Sequence, residues 1–278
     1  MHSLKSGNGY IRPEYPVNNY TAEGTLIHDG HLSHVSAEPK TALGDHLKGA
    51  NRILGRMPED DLSRIAVLLE PVRFSRADEI HNLENGDGYV HFPLDMVVSQ
   101  LSVFNDGSTA EVALIGNEGV IGLNYIFNSY TSERWTCVAV AGGALRMRAK
   151  EMKKEFDRGG ALQQLLLEYA GLYVEQVSQR AVCNSHHKIE ERLASWLLMI
   201  HDRTSHDMLL TQEQISSRLG TRRSSITLAA ISLQQRNIIS YLRGRIRIIN
   251  REALEAAACE CYQALNRPKM MIANNQTV

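Results

Sequence analysis

The residues best equipped for chemistry lie in the last third of the chain. Thr211, Gln212, Arg222, Arg223, Ser224, Ser225, Thr227, Arg243 and Arg245 are donors of the kind that grip an anionic polymer. An arginine fork donates two parallel bonds to guanine O6 and N7, and hydroxyls bond to bases or phosphates. Between Arg218 and Arg251 stand eight arginines (Arg218, Arg222, Arg223, Arg236, Arg243, Arg245, Arg247 and Arg251) and no Asp or Glu. That local basic patch sits in a chain of net charge -1 and pI near 6.8, so the distribution of charge, not its sum, points to double-stranded DNA. Bond-making chemistry has no comparable signal: no nucleophile elbow, P-loop, dinucleotide fingerprint or HExxH pair occurs.

These donors need elements to aim them. Thr211 is placed to cap a helix, and Gln214 three residues on closes a capping box. Ile215 and Leu219 then face inward, Gly220 permits a tight turn, and Thr221 caps a second helix over residues 222–236 that buries Ile226, Ala229, Ala230 and Leu233. Two short helices about a glycine form a helix-turn-helix, with Arg222, Arg223, Ser224, Ser225 and Thr227 on the leading turns that meet base edges. Leu228 is expected to pack inward, with contact to a thymine methyl as the alternative. Residues 238–242 and 245–249 flank Arg243-Gly244 as a β-hairpin, a wing whose tip arginines reach the backbone.

Upstream, the period changes three times. Residues 1–46 lack a sustained apolar pattern and are expected to be a flexible tail. Helices over residues 51–69 lead into a strand-rich domain, 47–158, with strands at 80–83, 88–92, 97–104, 109–115, 136–140 and 145–148. Turn signals stand at Asn85-Gly86-Asp87, Asn105-Asp106-Gly107 and Gly142-Gly143. A long helix follows at 161–183, within a segment of 159–185. Its stripe of Leu162, Leu165, Leu166, Tyr169, Leu172, Tyr173 and Val177 suits a coiled coil between two subunits, with packing on the β-domain as the alternative. A helix over 189–200, with Leu193, Trp196, Leu197 and Ile200 inward, opens the reading domain at 186–262, and 263–278 forms a C-terminal tail. The fold class is α+β: a β-roll or jelly roll, a dimerisation helix and a winged helix-turn-helix.

Cys137, Cys183, Cys259 and Cys261 are scattered, with no CxxC pair, so neither a disulfide framework nor a zinc site is expected. His28, His31, His34, His46, His81 and His91 match no ligand motif and are expected to be solvated. His186 and Glu190, one helical turn apart, do not make a metal site. No metal and no cofactor are therefore expected. No run approaches the ~20 apolar residues of a membrane span, and a cytoplasmic address follows.

Three stretches carry a family resemblance. Glu191-Arg192-Leu193-Ala194-Ser195-Trp196-Leu197-Leu198, Leu210-Thr211-Gln212-Glu213-Gln214-Ile215 with Leu219-Gly220-Thr221-Arg222-Arg223, and Tyr241-Leu242-Arg243-Gly244-Arg245-Ile246 resemble the Crp/Fnr family of bacterial transcription regulators. The closing Glu255-Ala256-Ala257-Ala258-Cys259-Glu260-Cys261-Tyr262 resembles the tail of a branch with no generally assigned effector. The resemblance implies a homodimer on a near-palindromic operator, with RNA polymerase as a partner and a cyclic-nucleotide-binding-like sensor. It places phosphate contacts on Thr211 and Gln212 and base reading on Arg223. It fails at Ser224 and Leu228, where a cyclic-AMP-responsive member has Glu and Arg. It fails also at Val120, in Gly119-Val120-Ile121-Gly122, where the family's ribose-binding Glu belongs, and at Arg134-Trp135, where a hydroxyl residue follows the Arg. An effector other than cyclic AMP is implied, and Glu118 and Arg134 are expected to be surface residues at strand ends. An iron-sulfur version needs N-terminal cysteines, whereas the first here is Cys137. The readings set against a regulator are an enzyme and a protein-interaction module built on the β-domain.

Overall fold

The computed structural model describes residues 51–80, 88–127, 134–204 and 207–266. The tail expected over 1–46, residues 267–278, most of the strand expected at 80–83, His28, His31, His34, His46 and His81, and the side chain of Arg134 lie outside the described residues.

Asn51 opens the fold as a buried cap. Its Oδ1 accepts from the backbone N of Ile53 (3.1 Å) and Leu54 (3.3 Å), starting α1 (Arg52–Gly55). Its Nδ2 donates to the carbonyls of Pro93 and Gly119 at 3.0 Å each, pinning that helix to the strand domain. Pro58 precedes α2 (Glu59–Ala66), whose first turn holds Glu59, Asp60 and Asp61 beside the positive end of the helix dipole.

Six strands follow: β1 (Glu70–Phe74), β2 (Tyr89–Pro93), β3 (Val97–Val103), β4 (Thr109–Ile115), β5 (Arg134–Val140) and β6 (Gly142–Arg148). They form two antiparallel three-stranded sheets, ordered β1-β6-β2 and β4-β3-β5. Strand β1, not among the expected strands, lies on a sheet edge with Pro71 and Arg73 exposed and Val72 and Phe74 half-buried in alternation with them. One apolar cluster between the sheets contains Met96, Val98, Ile115, Ile121 and Val138. The short helix α3 (Leu123–Ile126) lies between β4 and β5, and α4 (Ala149–Asp157) follows β6.

Helix α5 (Ala161–His186) has 26 residues, about 39 Å at ~1.5 Å per residue. The expected dimer stripe divides on it. Leu162, Leu165, Leu166 and Tyr169 are buried in the protomer's own core, with Ile53, Leu54, Phe92, Met147 and Met152. Leu172, Tyr173 and Val177 are half-buried, and Tyr173 Oη meets Gln100 Oε1 at 2.5 Å. The first four therefore follow the alternative reading, packing within the protomer, since α1, α4 and the β1-β6-β2 sheet present the nearer apolar surface. The opposite face is left open, with Leu167 52%, Val174 62% and Val182 50% exposed. Leu167, Gly171, Val174, Ser178, Ala181 and Ser185 line that face at alternating steps of four and three.

Helix α6 (Ile189–Thr204) begins the C-terminal unit and buries the whole run from Leu193 to Ile200. Its Trp196 Nε1 donates to Glu111 Oε1 (2.9 Å), and Arg180 of α5 pairs with the same oxygen. Glu118, expected at the surface, is half-buried and accepts from Arg203 Nε (2.8 Å) and Nη2 (2.6 Å) of α6. Two further expectations change with the chain folded. Cys183, far in sequence from Cys259 and Cys261, forms one buried cluster with them. His91, expected to be solvated, is buried on β2 against Phe74 and Tyr89, with Nδ1 unpartnered among the described residues.

Burial, with the Arg146 charge nearby, lowers the His91 pKa from 6.5 to about 4. An unfolded histidine protonates first as the pH falls, so this stability contribution is complete above pH ~6.5 and is lost on descending toward pH ~4. Between pH 7.5 and 4.5 it amounts to about 2–3 kcal/mol. In urea unfolding, His91→Met is expected to lose less stability than the parent chain over that interval; equal losses would place the pH sensitivity elsewhere.

Candidate nucleic-acid interface

After the two-residue strand β7 (Met208–Leu209), Thr211 caps α7 (Gln212–Leu219) with both halves of the expected capping box in place. Thr211 Oγ1 accepts from Gln214 N (3.2 Å), and Gln214 Oε1 accepts from Thr211 N (3.1 Å). Gly220 ends the helix at φ +58°, in the left-handed region that a side chain disfavours. The next helix, α8 (Arg223–Gln235), starts one residue later than expected. Thr221 belongs to the turn, its N donating to Ser216 O (3.0 Å), and Arg222 takes the cap position without a side-chain cap bond.

The phase of α8 is set by Ile226, Ala229, Ala230 and Leu233, which are buried as expected. Arg222, Arg223 and Ser224 consequently emerge into solvent at its leading turn, whereas Ser225 and Thr227 are half-buried. Thr227 Oγ1 donates to Gln212 Oε1 (2.7 Å), locking the first turn of α7 to that of α8. Leu228 corrects an expectation: it is 70% exposed. Two residues beyond Ile226 it lies about 200° around the helix, on the face opposite the core. Ile231 extends that apolar outer edge.

The wing comprises β8 (Ile239–Leu242) and β9 (Arg245–Ile248), with β9 also pairing β7. Arg243 (φ +50°) and Gly244 (φ +77°) both adopt the positive φ that a tight two-residue hairpin turn requires. Leu210 N donates to Gly244 O (2.7 Å), and Tyr241 Oη donates to Leu210 O (2.8 Å), which fixes the wing beside the start of α7.

The eight-arginine window is sorted by its neighbours. Arg218 is buried and faces the β4-β3-β5 sheet, donating from Nε to Ser99 Oγ (3.1 Å). Arg236 pairs with Glu190 (2.8 Å), Arg247 with Asp207 (3.0 Å), and Arg251 with Asp202 (2.7 Å) and Glu255 (2.8 Å). Arg245 stands 3.9 Å from Asp207. Arg222, Arg223 and Arg243 form no ion pair among the described residues. The patch thus contracts to the leading turn of α8 and the wing tip, Arg218 being buried on the sheet and Arg236, Arg247 and Arg251 paired with acids outside the arginine window. Helix α7 meanwhile rests on β4: Thr109 Oγ1 donates to Ser217 O (3.2 Å), and a Cβ at Gly220 would lie 3.2 Å from Ala110 Cβ. Seating that face on the sheet leaves the outer turn of α8 uncovered. Among the described residues no helix is long and apolar enough to cross a membrane.

Known proteins share this fold. Residues 191–257 match the Crp-like helix-turn-helix domain family. A regulator of the Crp/Fnr family from Eubacterium rectale superposes with a TM-score of 0.60 at 16% identity, over 74% of this chain and 96% of that one. FixK2 from Bradyrhizobium japonicum gives 0.58 at 16% identity, over 69% and 98%. The c-di-GMP-responsive regulator CLP of Xanthomonas campestris gives 0.57 at 9% identity, over 69% and 99%. No curated protein sequence matches the chain.

Proposed function

We propose that this chain, a Crp-like helix-turn-helix domain on the fold of Crp/Fnr regulators, binds near-palindromic DNA sequence-specifically as a cytoplasmic homodimer. The observation that carries the reading is the leading turn of α8, where Arg222, Arg223 and Ser224 project into solvent and neither arginine has an acidic partner among the described residues. In a major groove, Arg223 is the base reader and Arg222 and the Ser224 and Ser225 hydroxyls its neighbours, while Thr211 and Gln212 at the start of α7 meet phosphate. Thr227 orients Gln212 from below (2.7 Å). Leu228, uncovered on the same face, fits a thymine methyl. Arg243 and Arg245 grip the adjacent backbone from the wing. Transcription regulation, with RNA polymerase as a partner, extends this reading through the family likeness.

Arg223→Ala is expected to lower preference at one base pair of each half-site by about 1–3 kcal/mol, whereas Arg243→Ala weakens all sequences alike and flattens the salt slope by about one phosphate contact. Competition binding to selected and random duplexes across a salt series separates the two. Equal losses on both duplexes for Arg223→Ala would remove its base-reading role.

The second subunit belongs on the open face of α5. Leu167, Val174 and Val182 are its large apolar members, and Gly171, Ser178 and Ala181 between them let two helices approach closely. Such a twofold axis sets two recognition helices about 34 Å apart, one DNA turn. Val174→Glu is expected to give a folded monomer in sedimentation with half-site affinity only; an intact dimer would move the interface elsewhere.

The effector is proposed to be a small molecule other than cyclic AMP. Val120, at the family's ribose-contacting position, is buried among Val90, Phe92 and Leu145 and offers no acceptor to a sugar hydroxyl. Calorimetry is expected to show no cyclic-AMP binding at micromolar concentrations; saturable heat there would overturn this.

A further inference from the structure

Cys183, His187, Cys259 and Cys261 bring one ligand atom each into a group in which all four lie within 4.8 Å of one another. Two chain segments supply them. Cys183 sits in the last turn of α5, and His187, four residues on, is that helix's C-cap, its N bonded to Cys183 O, so both project to one side. Helix α9 (Arg251–Ala257) ends just before Cys259 and Cys261, whose thiols join the same cluster as Cys183.

The distances decide what fits. Cys183 Sγ and Cys259 Sγ are 3.6 Å apart, and Cys261 Sγ is 3.5 Å from His187 Nδ1. A tetrahedral centre with ~2.3 Å metal–sulfur bonds has edges of roughly 3.8 Å. A disulfide needs its sulfurs at about 2.0 Å. The group therefore has the dimensions of a four-coordinate ion. We propose that Cys183, His187, Cys259 and Cys261 bind one Zn2+ per chain, a Cys3His site tying the end of the long helix to the end of the reading domain.

The surroundings suit that ion. His187 presents Nδ1 to the thiols, and its Nε2 lies 3.2 Å from Glu260 Oε2, so a carboxylate orients the imidazole from behind. Ser195 Oγ accepts from Cys259 N (3.1 Å) and is thereby free to donate to Cys259 Sγ (3.0 Å), while Gln179 Nε2 donates to Cys261 Sγ (3.0 Å). Both bonds favour thiolate sulfur. Three thiolates and a neutral imidazole around Zn2+ carry one net negative charge, and the guanidinium of Arg192 lies within electrostatic reach of Cys183 and Cys259 to balance it. Binding transfers the three thiol protons to solvent and changes no oxidation state. All three cysteines are buried and form a cluster of their own.

The site makes a specific mechanical statement. Residues 187 and 188 are the break between α5 and α6, and the ion would bridge that break from the far end of the domain. The test uses the full chain, reduced, stripped with a chelator and titrated anaerobically with Co2+. Tetrahedral thiolate coordination is expected to produce long-wavelength d–d bands saturating at about one equivalent, bleached by Zn2+, and Zn2+ is expected to raise the thermal midpoint by several degrees. Cys261→Ser and His187→Ala are expected to abolish or strongly shift the bands. Cys137→Ser, on β5 and outside the group, is expected to leave them unchanged, and His187→Cys to retain binding with a shifted spectrum. A reduced chain that is folded by circular dichroism but gives no cobalt bands, or bands that survive Cys183→Ser and Cys261→Ser alike, would overturn the proposal. Because the readout is metal uptake, its failure leaves DNA binding untouched, and the reverse.

Discussion

One buried carboxylate holds the chain's three parts in register. Glu111 on β4 has a side chain 0% exposed, Arg180 of α5 is 7% exposed against it, and Trp196 of α6 donates to the same oxygen. Each of two charges withdrawn from water is compensated by the other, and removing one partner of such a pair costs about 3–5 kcal/mol. The arrangement is also directional in a way that apolar contact is not. Strand, long helix and reading domain must all be in place for one oxygen to receive both donors. Val97 and Leu114 of the β4-β3-β5 sheet join the core of the C-terminal unit, so packing and polar bonding fix the same seat. Arg218 on Ser99 and Arg203 on Glu118 extend it to either side.

That seat determines which cations face outward. A net charge of -1 coexists with an exposed arginine set because neutralisation is local. Asp202, Asp207 and Glu190 lie outside the arginine window in sequence and return to it in space, pairing Arg251, Arg247 and Arg236. The cations left without such partners are concentrated where α8 begins and where the wing turns. Arg218, formally part of the basic run, is a structural residue that docks α7 on the sheet.

Helix α5 shows the same division along its length. Its inner stripe belongs to the protomer's core, its outer stripe carries small residues between Leu167, Val174 and Val182, and its last turn contributes Cys183 and His187 to a thiol-rich group. One helix thus serves three environments, because 3.6 residues per turn give it enough faces and 26 residues give it enough length.

Local rules carried a long way here. The capping box at Thr211, the left-handed Gly220, the buried face of α8 and the Arg243-Gly244 turn were legible because each depends on bonds or φ angles within a few residues. Most strands announced themselves by alternation between turn signals; β1 did not, since Pro71 within so short a run argues against a strand except at a sheet edge. What could not be read was which of two competing surfaces would claim an apolar or charged side chain. Leu162 and Leu166 go to the core and Leu228 to solvent, since periodicity defines a stripe and only packing says what covers it. The cysteines make the point most sharply: Cys183 and Cys259 are separated by 76 positions, and no spacing rule along the chain brings them together. The sequence by itself determined most strands, the principal helices, the Thr211 capping box and the donor-rich leading turn, all short-range matters of hydrogen bonding and backbone freedom. Tertiary structure alone decided which donors stay uncovered and which thiols meet, because both follow from segments that approach only when the whole chain packs.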